Sequence, residues 1–571
     1  MSRILRKLPL LILILIIAGC GGSSSEINNP NIVFNSPVAT VIGAGTTLQL
    51  QATVIGSSNT TVLWYVNNIP GGNSTVGTIT PQGLYTAPNT PTSGRSVTIQ
   101  AAPQAYPAIS TSIMIFISFA NASLTGNYVF SLQGTENGGP WAVTGSFTAN
   151  ANGTISNGVE DINGPAGIST AQPFNGSYLI NANGQGTATF TSAQGSFSMG
   201  LTLNNQGQAA IMRTDPGTTA TGVFYPQLST ALSITSLNAP YVFNLSGAVQ
   251  SGAYLNVIGY FNTNGSTTLS YAEEELNNGK TTAYQQFSGT YSIGSNARGT
   301  ATFTDSTGTR TYSFYIVSPV QFQFIEIDTL GHLSGPVFLQ QSVLPTTILA
   351  GGYVYYIAGT NGTADYGAAG GFFTNATTIG IIDAGTNDIN RAGSIATNST
   401  LTGSFTNASY GRGTITLTGS SGTNNYVFYD ISPGSGFLLT TDNGINASGE
   451  FFSQSGGYSI ASLSGYYSLS QSSPVNSTAP SAAVGLLYLN GVGATAGYAN
   501  VNDNGTSSGQ LSVTGTYTIT TGSASSVTRG TATLITSAGR TTNYAFYTIT
   551  NLSVIMLGES GAPVVALLVG Q

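Results

Sequence analysis

Short runs in which apolar and polar residues alternate recur along most of this chain. Residues 48–54 alternate strictly, and residues 62–66 and 97–101 show a similar pattern. An alternation with a period of two is typical of a β-strand that buries one face. Turn pairs such as Asn152-Gly153 and Asn183-Gly184 separate the runs, and these residue types adopt the positive φ angles that tight hairpins need. The pattern predicts an all-β protein with many short antiparallel connections.

One pattern occurs four times and divides most of the chain into modules. A Gly-Thr step is followed, 29 residues after its glycine, by an acidic residue, and 12 residues later by a glutamine. The glycines are Gly186, Gly299, Gly413 and Gly530, the acids are Asp215, Asp328, Asp442 and Glu559, and the glutamines are Gln227, Gln340, Gln454 and Gln571. Successive glycines are 113 to 117 residues apart, a period too long for propeller blades. We therefore predict four tandem β-modules, which match no family that we can name.

The first module contains eight strand-like runs. They begin near residues 128, 142, 154, 174, 186, 196, 208 and 220. Eight meandering antiparallel strands close most simply into a small barrel, because closure removes unpaired strand edges. The interior of such a barrel holds packed side chains or one small ligand. We predict a barrel in each module; the alternatives are an open two-sheet sandwich and one large transmembrane barrel, which fits poorly with separate tandem modules.

The first 20 residues are predicted to be a targeting segment. Three basic residues at positions 3, 6 and 7 precede an apolar run at 8–17, which is too short to span a bilayer comfortably. The run ends in Ile-Ala-Gly-Cys at 17–20, which resembles the lipobox of bacterial lipoproteins. The resemblance implies cleavage before Cys20 and lipidation of Cys20 as a membrane anchor, and Gly21 favours the outer membrane, since lipoproteins kept at the inner membrane usually carry Asp there. An ordinary signal peptide that contains a cysteine is the alternative; the lack of a second cysteine for a disulfide favours lipidation.

Residues 38–101 resemble the bacterial Ig-like domain, group 2. The resemblance lies in Gly-Thr-Thr-Leu-Gln-Leu at 45–50, in the segment 62–67 around Trp64, and in the segment 77–88. It implies a β-sandwich of about seven strands with Trp64 in the core. In that family such domains occur on surface proteins and adhesins, often as spacers.

These patterns predict an Ig-like β-sandwich followed by four tandem antiparallel eight-stranded modules. The predicted order is a signal peptide at 1–19, the lipidated Cys20 and a flexible Gly/Ser-rich tether at 20–30, the Ig-like domain at 31–119, and modules at 120–227, 235–341, 347–454 and 461–571.

Charge is scarce in this chain and excludes one class of partner. Only 5% of residues are charged, whereas 40% are hydrophobic, which favours a folded chain over a disordered one. Removal of the signal leaves nine of the 12 basic residues against 19 acidic ones, a net charge of −10 with no basic patch. We therefore expect no nucleic-acid partner. With so few titratable groups, we also expect a weak response to pH and tolerance of acid.

The residues of the repeated pattern are candidates for chemistry, although we favour structural roles for them. The four acids could line four equivalent calcium or sugar sites, but in three of them a glycine two positions later favours a hairpin turn. Arg298, Arg412 and Arg529 precede three of the Gly-Thr steps and could recognise a carboxylate or a sugar. Gln185 replaces arginine in the first copy, which indicates that solubility or a local hydrogen bond is enough there.

The acidic run, the single histidine and the aromatic residues are further candidates for chemistry. The run Glu273-Glu274-Glu275 aligns roughly with Glu160-Asp161 and with Asp383; calcium binding and glycoside hydrolysis are possible roles, and a solvated strand or loop edge is favoured. His332, the single histidine, is predicted to be a surface turn residue, and the counts of histidine and cysteine exclude zinc sites of the usual type. Some tyrosines and Trp141 could be exposed to stack on sugars, although core packing is favoured.

The sequence thus predicts a lipid-anchored cell-envelope protein that is not an enzyme and carries no cofactor or metal. Its expected role is surface binding, adhesion or a structural stalk, with the membrane as partner through the anchor and glycans or other extracellular components as further partners. Tandem modules gain strength by multivalency. A polysaccharide-acting hydrolase, which would need two carboxylates roughly 5–10 Å apart, and lipocalin-like binding of small ligands in the barrels are the alternatives.

Overall fold

The structure is a computed structural model of the 571-residue chain. It describes residues 30–35, 38–91, 95–228, 233–294, 297–341, 349–375, 380–454, 456–474, 477, 479–520, 527–559, 561 and 563–570. The predicted signal peptide, Cys20, all but the last residue of the predicted tether, and Gln571 lie outside these residues.

The N-terminal domain is built from two sheets around one core. Its strands are β1 (Asn31–Phe34), β2 (Val41–Gly43), β3 (Thr47–Gln49), β4 (Ala52–Ile55), β5 (Val62–Val66), β6 (Ile69–Pro70), β7 (Gly72–Asn73), β8 (Gly77–Ile79), β9 (Leu84–Thr86), β10 (Ser96–Pro103) and β11 (Thr111–Ser118). One sheet has the order β2-β11-β10-β5-β6 and the other β3-β9-β8-β7, with β1 and β4 paired separately. Trp64 is buried between them, as expected, together with Ile99 and Tyr85.

Each of the four modules is an antiparallel meander, and the prediction of closed eight-stranded barrels is confirmed for modules 1, 3 and 4, whereas module 2, called barrel 2 below, is a nine-stranded sheet that curls in the same way without closing. Barrel 1 contains β12 (Gly126–Glu136), β13 (Gly139–Ala149), β14 (Thr154–Gly164), β15 (Gly167–Ile180), β16 (Gln185–Ser192), β17 (Gly195–Leu203), β18 (Ala209–Arg213) and β19 (Thr218–Pro226). Barrel 2 contains β20 (Pro240–Ala248), β21 (Tyr254–Thr263), β22 (Leu269–Asn277), β23 (Thr282–Gln286), β24 (Ser288–Ile293), β25 (Arg298–Thr304), β26 (Thr309–Ser318), β27 (Gln321–Glu326) and β28 (Ser334–Leu339). Barrels 1, 3 and 4 close with eight strands each.

The remaining two barrels repeat this order. Barrel 3 contains β29 (Gly351–Asn361), β30 (Ala364–Thr374), β31 (Ile381–Arg391), β32 (Ser394–Asn407), β33 (Arg412–Gly419), β34 (Gly422–Ser432), β35 (Ser435–Thr440) and β36 (Ile445–Gln454). Barrel 4 contains β37 (Ser464–Ser472), β38 (Ser481–Asn490), β39 (Ala494–Asp503), β40 (Thr506–Thr520), β41 (Arg529–Thr536), β42 (Thr541–Thr550), β43 (Ser553–Gly558) and β44 (Val565–Gly570).

Short 3-10 turns lie next to several of these strands. They span Asn121–Ser123, Ile234–Ser236, Ser409–Gly411 and Ile460–Ser462. In the part of the chain that the structure describes, no helix has the length and apolar composition to cross a bilayer.

Barrel 2 differs because its fourth strand is interrupted. The long fourth strand of the other barrels is replaced by β23 and β24, which do not pair in one continuous ladder. Phe287 lies between them, and its backbone N–H donates to the carbonyl of Ala272, 3.2 Å away. A single bridge between Thr268 and Thr290 continues the contact. Barrel 2 is therefore the same meander with a local break.

Inward-facing side chains fill the barrels, and their size differs between copies. Five phenylalanines of barrel 1 meet with ring centroids 4.5 to 6.3 Å apart: Phe130, Phe147, Phe174, Phe190 and Phe224. Barrel 4 carries Leu469, Leu487, Leu534 and Leu568 at four of the matching positions. Its interior leaves cavities of about 20 Å³ and about 30 Å³. Such volumes hold a water molecule or two, not a drug-sized ligand.

The four barrels form a closed ring rather than an extended string. The first three strands of barrel 1 pack against β26 and β27 of barrel 2, those of barrel 2 against β34, β35 and β36 of barrel 3, and those of barrel 3 against β42 and β43 of barrel 4. The circle is completed by β37 and β38 of barrel 4, which pack against β17, β18 and β19 of barrel 1. One surface of each copy thus meets a different surface of its neighbour. A head-to-tail contact of this kind makes a ring when the rotation per copy closes.

The N-terminal domain rests on the ring where barrels 1 and 4 meet. The guanidinium carbon of Arg95 lies 4.7 Å from the ring centroid of Phe119 and 4.5 Å from that of Tyr466. Arg95 Nη2 also donates to the carbonyl of Asn183 in barrel 1, 3.2 Å away. One arginine therefore joins the domain to both barrels.

Candidate functional site: the junctions between barrels

A buried asparagine in each barrel binds a hairpin of the next barrel. Its side-chain amide donates to two carbonyls at the two ends of the turn between the last two strands. The pairs are Asn163 with Glu326 and Gly331, Asn277 with Thr440 and Ile445, Asn390 with Gly558 and Gly561, and Asn502 with Arg213 and Thr218, at 2.6 to 3.2 Å. The contact occurs four times, and the fourth instance joins barrel 4 to barrel 1. It defines one repeated junction geometry.

The repeated acids lie in these hairpins. Asp215 accepts from the backbone N–H of Ser198 at 3.0 Å and from Arg213 Nε at 3.0 Å. Asp442 accepts from the backbone and side-chain nitrogens of Asn425 at 2.9 and 2.8 Å. Each of these acids thus ties its turn to a neighbouring strand of its own barrel.

The other two acids occupy the same turn; Asp328 binds the matching backbone N–H, and Glu559 has a different partner. Asp328 accepts from the backbone N–H groups of Leu330, at 2.8 Å, and of Thr311. A carboxylate oxygen of Glu559 lies 3.5 Å from Arg529 Nη2. In all four barrels the acid therefore holds the hairpin that the preceding barrel's asparagine binds.

The arginines of the repeated pattern reach across the junctions. Arg298 Nη2 lies 2.6 Å from Asp161 Oδ1 of barrel 1, and Arg529 Nη2 lies 2.6 Å from Asp388 Oδ1 of barrel 3. Arg412 Nε donates to Glu275 Oε1 of barrel 2 at 2.9 Å. The Asp161 and Asp388 side chains are fully buried. The expectation of a local or solubilising role for these arginines is therefore wrong.

The acidic run of barrel 2 is likewise not a solvated edge. Glu273, Glu274 and Glu275 are 3%, 7% and 3% exposed, and Glu160 and Asp161 of barrel 1 are fully buried. In barrel 3 the matching residue is Asp388, two positions before Asn390, rather than Asp383. Asp161, Glu275 and Asp388 are buried against the next barrel, whose arginines bind them, whereas Glu160 and Glu274 face groups of their own barrels, such as Arg213 and Gln285.

At two junctions a tyrosine also hydrogen-bonds the carboxylate that the arginine binds. Tyr315 and Tyr547 are the cross-strand neighbours of Arg298 and Arg529. The Tyr315 hydroxyl donates to Asp161 Oδ2 at 2.5 Å, and the Tyr547 hydroxyl donates to Asp388 Oδ2 at 2.6 Å. Burial, and then the nearby carboxylate, raise the pKa of both tyrosines well above the usual value. Each carboxylate thus receives hydrogen bonds from both a guanidinium and a phenol.

The fourth junction carries no charge at the matching positions. Gln185 stands where the arginines stand, and Asn500, two residues before Asn502, stands where the acids stand. Gln185 Nε2 donates to the carbonyl of Tyr498 at 3.3 Å, and its Oε1 accepts from Gln510 Nε2. The arginine and the acid are therefore replaced together, in residues 315 positions apart in the chain.

The glutamines that end the pattern also contact the next barrel. Gln227 Nε2 donates to the carbonyl of Ile316 at 2.7 Å, and Gln340 Nε2 donates to that of Asp430 at 2.8 Å. Gln454 donates to the carbonyl of Thr548 and accepts from the backbone N–H of Thr528 at 3.1 Å. Three of the four glutamines thus act between barrels, and Gln571 lies outside the described residues.

Apolar contacts support each junction to a different extent. Val129, Tyr315 and Val317 join barrels 1 and 2, and Met212, Ala482 and Val484 join barrels 4 and 1. Seven buried residues join barrels 2 and 3: Val242, Ile258, Tyr260, Val427, Tyr429, Phe437 and Leu439. Seven others join barrels 3 and 4: Val354, Ala369, Val527, Tyr547, Ile549, Ile555 and Leu557.

The glycine of the repeated pattern is required by an aromatic ring on the next strand. A Cβ on Gly299 would lie 2.1 Å from Cζ of Phe314, its cross-strand partner, and Gly413 and Gly530 face Phe428 and Phe546 in the same way. Gly186 of barrel 1 faces Leu201 instead, and a Cβ there would lie 2.1 Å from the carbonyl of Leu179. These glycines have a packing role.

We predict that Gly299→Ala lowers the free energy of unfolding by about 2 kcal/mol, because the added methyl overlaps the Phe314 ring. The double variant Gly299→Ala with Phe314→Leu recovers part of this loss, since the smaller side chain leaves room. Urea unfolding measures both. The matched control is Gly352→Ala, where the nearest atom to the new Cβ lies at 3.4 Å and where we expect little change. An equal loss at both glycines would contradict this explanation.

Two single residues differ from or extend the predictions. Trp141 is buried, with the Arg213 guanidinium 4.5 Å from its ring centroid, so it is not an exposed sugar-stacking ring. His332 is half-buried in the last hairpin of barrel 2, where its backbone N–H donates to the carbonyl of Ala248 at 2.7 Å. Burial lowers the pKa of its imidazole.

Exposed tyrosines form two groups on the ring. Tyr466, Tyr488 and Tyr498 lie on the outer face of barrel 4, and Tyr284 and Tyr410 lie where barrels 2 and 3 meet; all are 42% to 49% exposed. The sequence raised exposed tyrosines as candidates without indicating which ones, because a period of two does not distinguish the outer face from a junction.

Comparisons with known proteins add little to this picture. No protein-family model matches the chain, and no curated protein matches it. Among solved structures, one match is a mutant form of the vaccine antigen transferrin binding protein B from Haemophilus parasuis Hp5. The two are 8% identical, the alignment covers 83% of this chain and 82% of that chain, and the TM-score is 0.17. At that TM-score the two chains do not superpose as one arrangement, and the match says nothing about what this chain binds.

Proposed function

We propose that this chain is an exported, lipid-anchored envelope protein whose ring of barrels presents a rigid, non-enzymatic binding surface. The observation that carries the proposal is the repeated junction: the arginines and glutamines of the repeated pattern, together with one buried asparagine per barrel, bond the neighbouring barrel. The four modules therefore build one body, and the residues that differ between copies are left to act on its surface.

The arrangement disfavours the two alternative functions. A glycoside hydrolase needs two carboxylates free to act on one bond. Asp161, Glu275 and Asp388 do not meet this need, because each is engaged by an arginine, and the neighbouring carboxylates of Glu274 and Asp305 share the amide of Gln285. A lipocalin-like barrel needs an interior of roughly 300 Å³ or more for its ligand, whereas the cavities described in barrel 4 measure about 20 and 30 Å³.

The proposed binding function is tested with the whole chain, because an isolated barrel would expose buried junction acids. The soluble form is the Cys20→Ser variant without residues 1–19. We propose a screen of this protein against immobilised glycans, envelope polymers and extracellular matrix proteins. Saturable binding to one class supports the proposal, and hydrolysis of a screened polymer at a rate above that of buffer contradicts its non-enzymatic part.

We predict that Cys20→Ser moves the full-length protein from the membrane fraction to the soluble fraction, because the thiol is the proposed site of lipid attachment. Two lipid-chain signals are needed for stable anchoring, and a lipidated N-terminal cysteine supplies them. Fractionation followed by immunoblotting measures the shift. The control is Gly21→Ala, which changes the neighbouring residue and keeps the thiol. Continued membrane retention of Cys20→Ser would contradict lipidation there.

A further inference from the structure

Four tyrosines lie close together at the junction between barrels 2 and 3. The rings of Tyr271 and Tyr410 stack with their centroids 4.4 Å apart and an angle of 27° between them. Tyr260 lies 5.0 Å from Tyr410 and 6.1 Å from Tyr271. Tyr284, on the adjacent strand, is 49% exposed, and Tyr410 is 45% exposed. We call Tyr260, Tyr271, Tyr284 and Tyr410 the tyrosine platform.

A glutamate with an unused oxygen lies at the edge of the tyrosine platform. Glu273 Oε2 accepts from the hydroxyls of Tyr271, at 2.6 Å, and Tyr284, at 3.0 Å. Gln286 Nε2 in turn donates to the Tyr271 hydroxyl at 3.2 Å. Glu273 is 3% exposed, and its Oε1 is buried without a hydrogen-bond partner. An unpaired buried carboxylate oxygen is costly unless water or a ligand meets it.

The backbone at this site is also strained. Tyr410 has φ 61°, in the left-handed region that a bulky aromatic residue rarely adopts. The turn Ser409–Gly411 carries its ring from barrel 3 onto the strands of barrel 2. Strain of this kind persists where surrounding contacts hold it, and it is frequent at binding sites.

The closed ring of four barrels does not need the tyrosine platform or Glu273. Tyr260 and Glu273 are cross-strand partners in barrel 2. The matching pair in barrel 1 is Ser146 and Val159, and in barrel 3 it is Gly371 and Thr386. Those junctions keep the arginine, the acid and the asparagine without the tyrosines, so closure of the ring does not explain the tyrosine platform.

The distance between the tyrosine rings and the charge of Glu273 limit the kind of ligand that the tyrosine platform can bind. An aromatic cage for a cation holds the ion between ring faces, but rings stacked 4.4 Å apart leave no gap between them. Arg412 lies 5.0 Å from the Tyr284 centroid and is bonded to Glu275. An acidic ligand on the platform would meet the Glu273 carboxylate beside an arginine that is already paired. A flat ligand with an apolar face and several hydroxyls suits both the exposed rings and the polar edge.

We propose that the tyrosine platform binds a neutral saccharide at the junction of barrels 2 and 3. This rests on the proposed binding function and gives it a site and a ligand class. A pyranose ring stacks on the exposed faces of Tyr410 and Tyr284. Its hydroxyls donate to Glu273 and exchange hydrogen bonds with Gln286 and the tyrosine hydroxyls.

The experiment is isothermal titration of the soluble full chain with defined oligosaccharides. The probes are cellohexaose, maltohexaose, xylohexaose, mannohexaose and chitohexaose, with hexagalacturonate as the acidic comparison. We expect saturable binding of at least one neutral hexasaccharide. Binding weakens about tenfold in Tyr410→Ala and in Tyr284→Ala, as expected for loss of one stacking ring.

Tyr106→Ala and Tyr488→Ala are the matched controls, because those tyrosines are 44% and 42% exposed elsewhere in the chain. We expect binding unchanged in both. Thermal unfolding of each variant separates loss of binding from loss of fold, and Tyr284→Phe tests the hydroxyl separately because it keeps the ring.

Two results would overturn the proposed site. One is that no neutral oligosaccharide binds, or that hexagalacturonate binds best. The other is that binding survives unchanged in both Tyr410→Ala and Tyr284→Ala. In either case, binding of an envelope polymer or matrix protein in the screen described under Proposed function would still support the binding function. If neither that screen nor the titration detects binding, the proposed binding function is wrong as well.

Discussion

Asp430→Leu is expected to stabilise the protein at pH 8 by a few kcal/mol and to change its stability much less at pH 4. Asp430 lies on β34, is fully buried, and has neither carboxylate oxygen hydrogen-bonded. Burial raises the pKa of its carboxyl from 3.8 to about 8. By strand pairing the matching residues are the apolar Leu203 in barrel 1 and Ile316 in barrel 2, and Thr548 in barrel 4; all three are fully buried. A leucine is therefore accommodated at this position in the barrel.

The direction of the pH effect follows from the raised pKa. Below about pH 4, Asp430 is protonated in both the folded and the unfolded chain, so its contribution to stability is fully present there. As the pH rises toward 8, the unfolded chain releases the proton first, and the folded state loses stability. Each pKa unit corresponds to about 1.4 kcal/mol, so a change in pKa from 3.8 to about 8 sets an upper limit of roughly 6 kcal/mol.

Glu160 and Glu274, whose pKa values burial raises to about 7, act in the same direction. We therefore expect wild-type stability to fall between pH 5 and pH 8, and part of that fall to disappear in Asp430→Leu. Urea unfolding of the wild type and of Asp430→Leu at pH 4, pH 5 and pH 8 measures both the fall in stability and the effect of the substitution. Asp383→Leu makes the same chemical change at an exposed acid and is the control. Equal stability changes at pH 4 and pH 8 in Asp430→Leu would show that the carboxylate is not the cause.

The weak pH response predicted from composition is thus an incomplete prediction. Few groups titrate in this chain, but several of those that do are buried. Composition counts acids and says nothing of their burial. Alignment of the four modules on the Gly-Thr step places Asp430 opposite Leu203 and Ile316, and this is the signal through which the sequence alone would have shown that the aspartate occupies a core position.

Features set by neighbouring residues were predictable, whereas features set by packing between modules were not. Alternation and Asn-Gly turns are local, so the strands, the hairpins and the closed barrels followed from the sequence. Arg298 and Asp161 are 137 positions apart and meet only because the barrels pack side by side. The buried asparagines were missed for the same reason, although an acid or Asn500 stands two residues before each of them in all four copies.

The fourth junction, which has Gln185 and Asn500 in place of an arginine and an acid, suggests a test of what the charged pair contributes to the other three junctions. Arg298→Gln alone is expected to lower the free energy of unfolding by about 3 kcal/mol, because it leaves Asp161 buried without its guanidinium partner. Arg298→Gln combined with Asp161→Asn reproduces the pair Gln185 and Asn500. We expect the double variant to lie within about 1 kcal/mol of the wild type, since burial of a neutral amide costs less than burial of an unpaired charge.

Urea unfolding of the wild type, both single variants and the double variant gives the coupling energy between the two positions. Hydrogen exchange in the 326–331 hairpin, which Asn163 binds, reports whether the loss is located at the junction of barrels 1 and 2. Arg540→Gln is the control, because Arg540 and Asp503 pair with side chains 36% and 51% exposed and such pairs contribute about 1 kcal/mol at most. Additive losses in the double variant would mean that the arginine and the acid do not act as a pair. The joint replacement at the fourth junction would then have some other cause than charge.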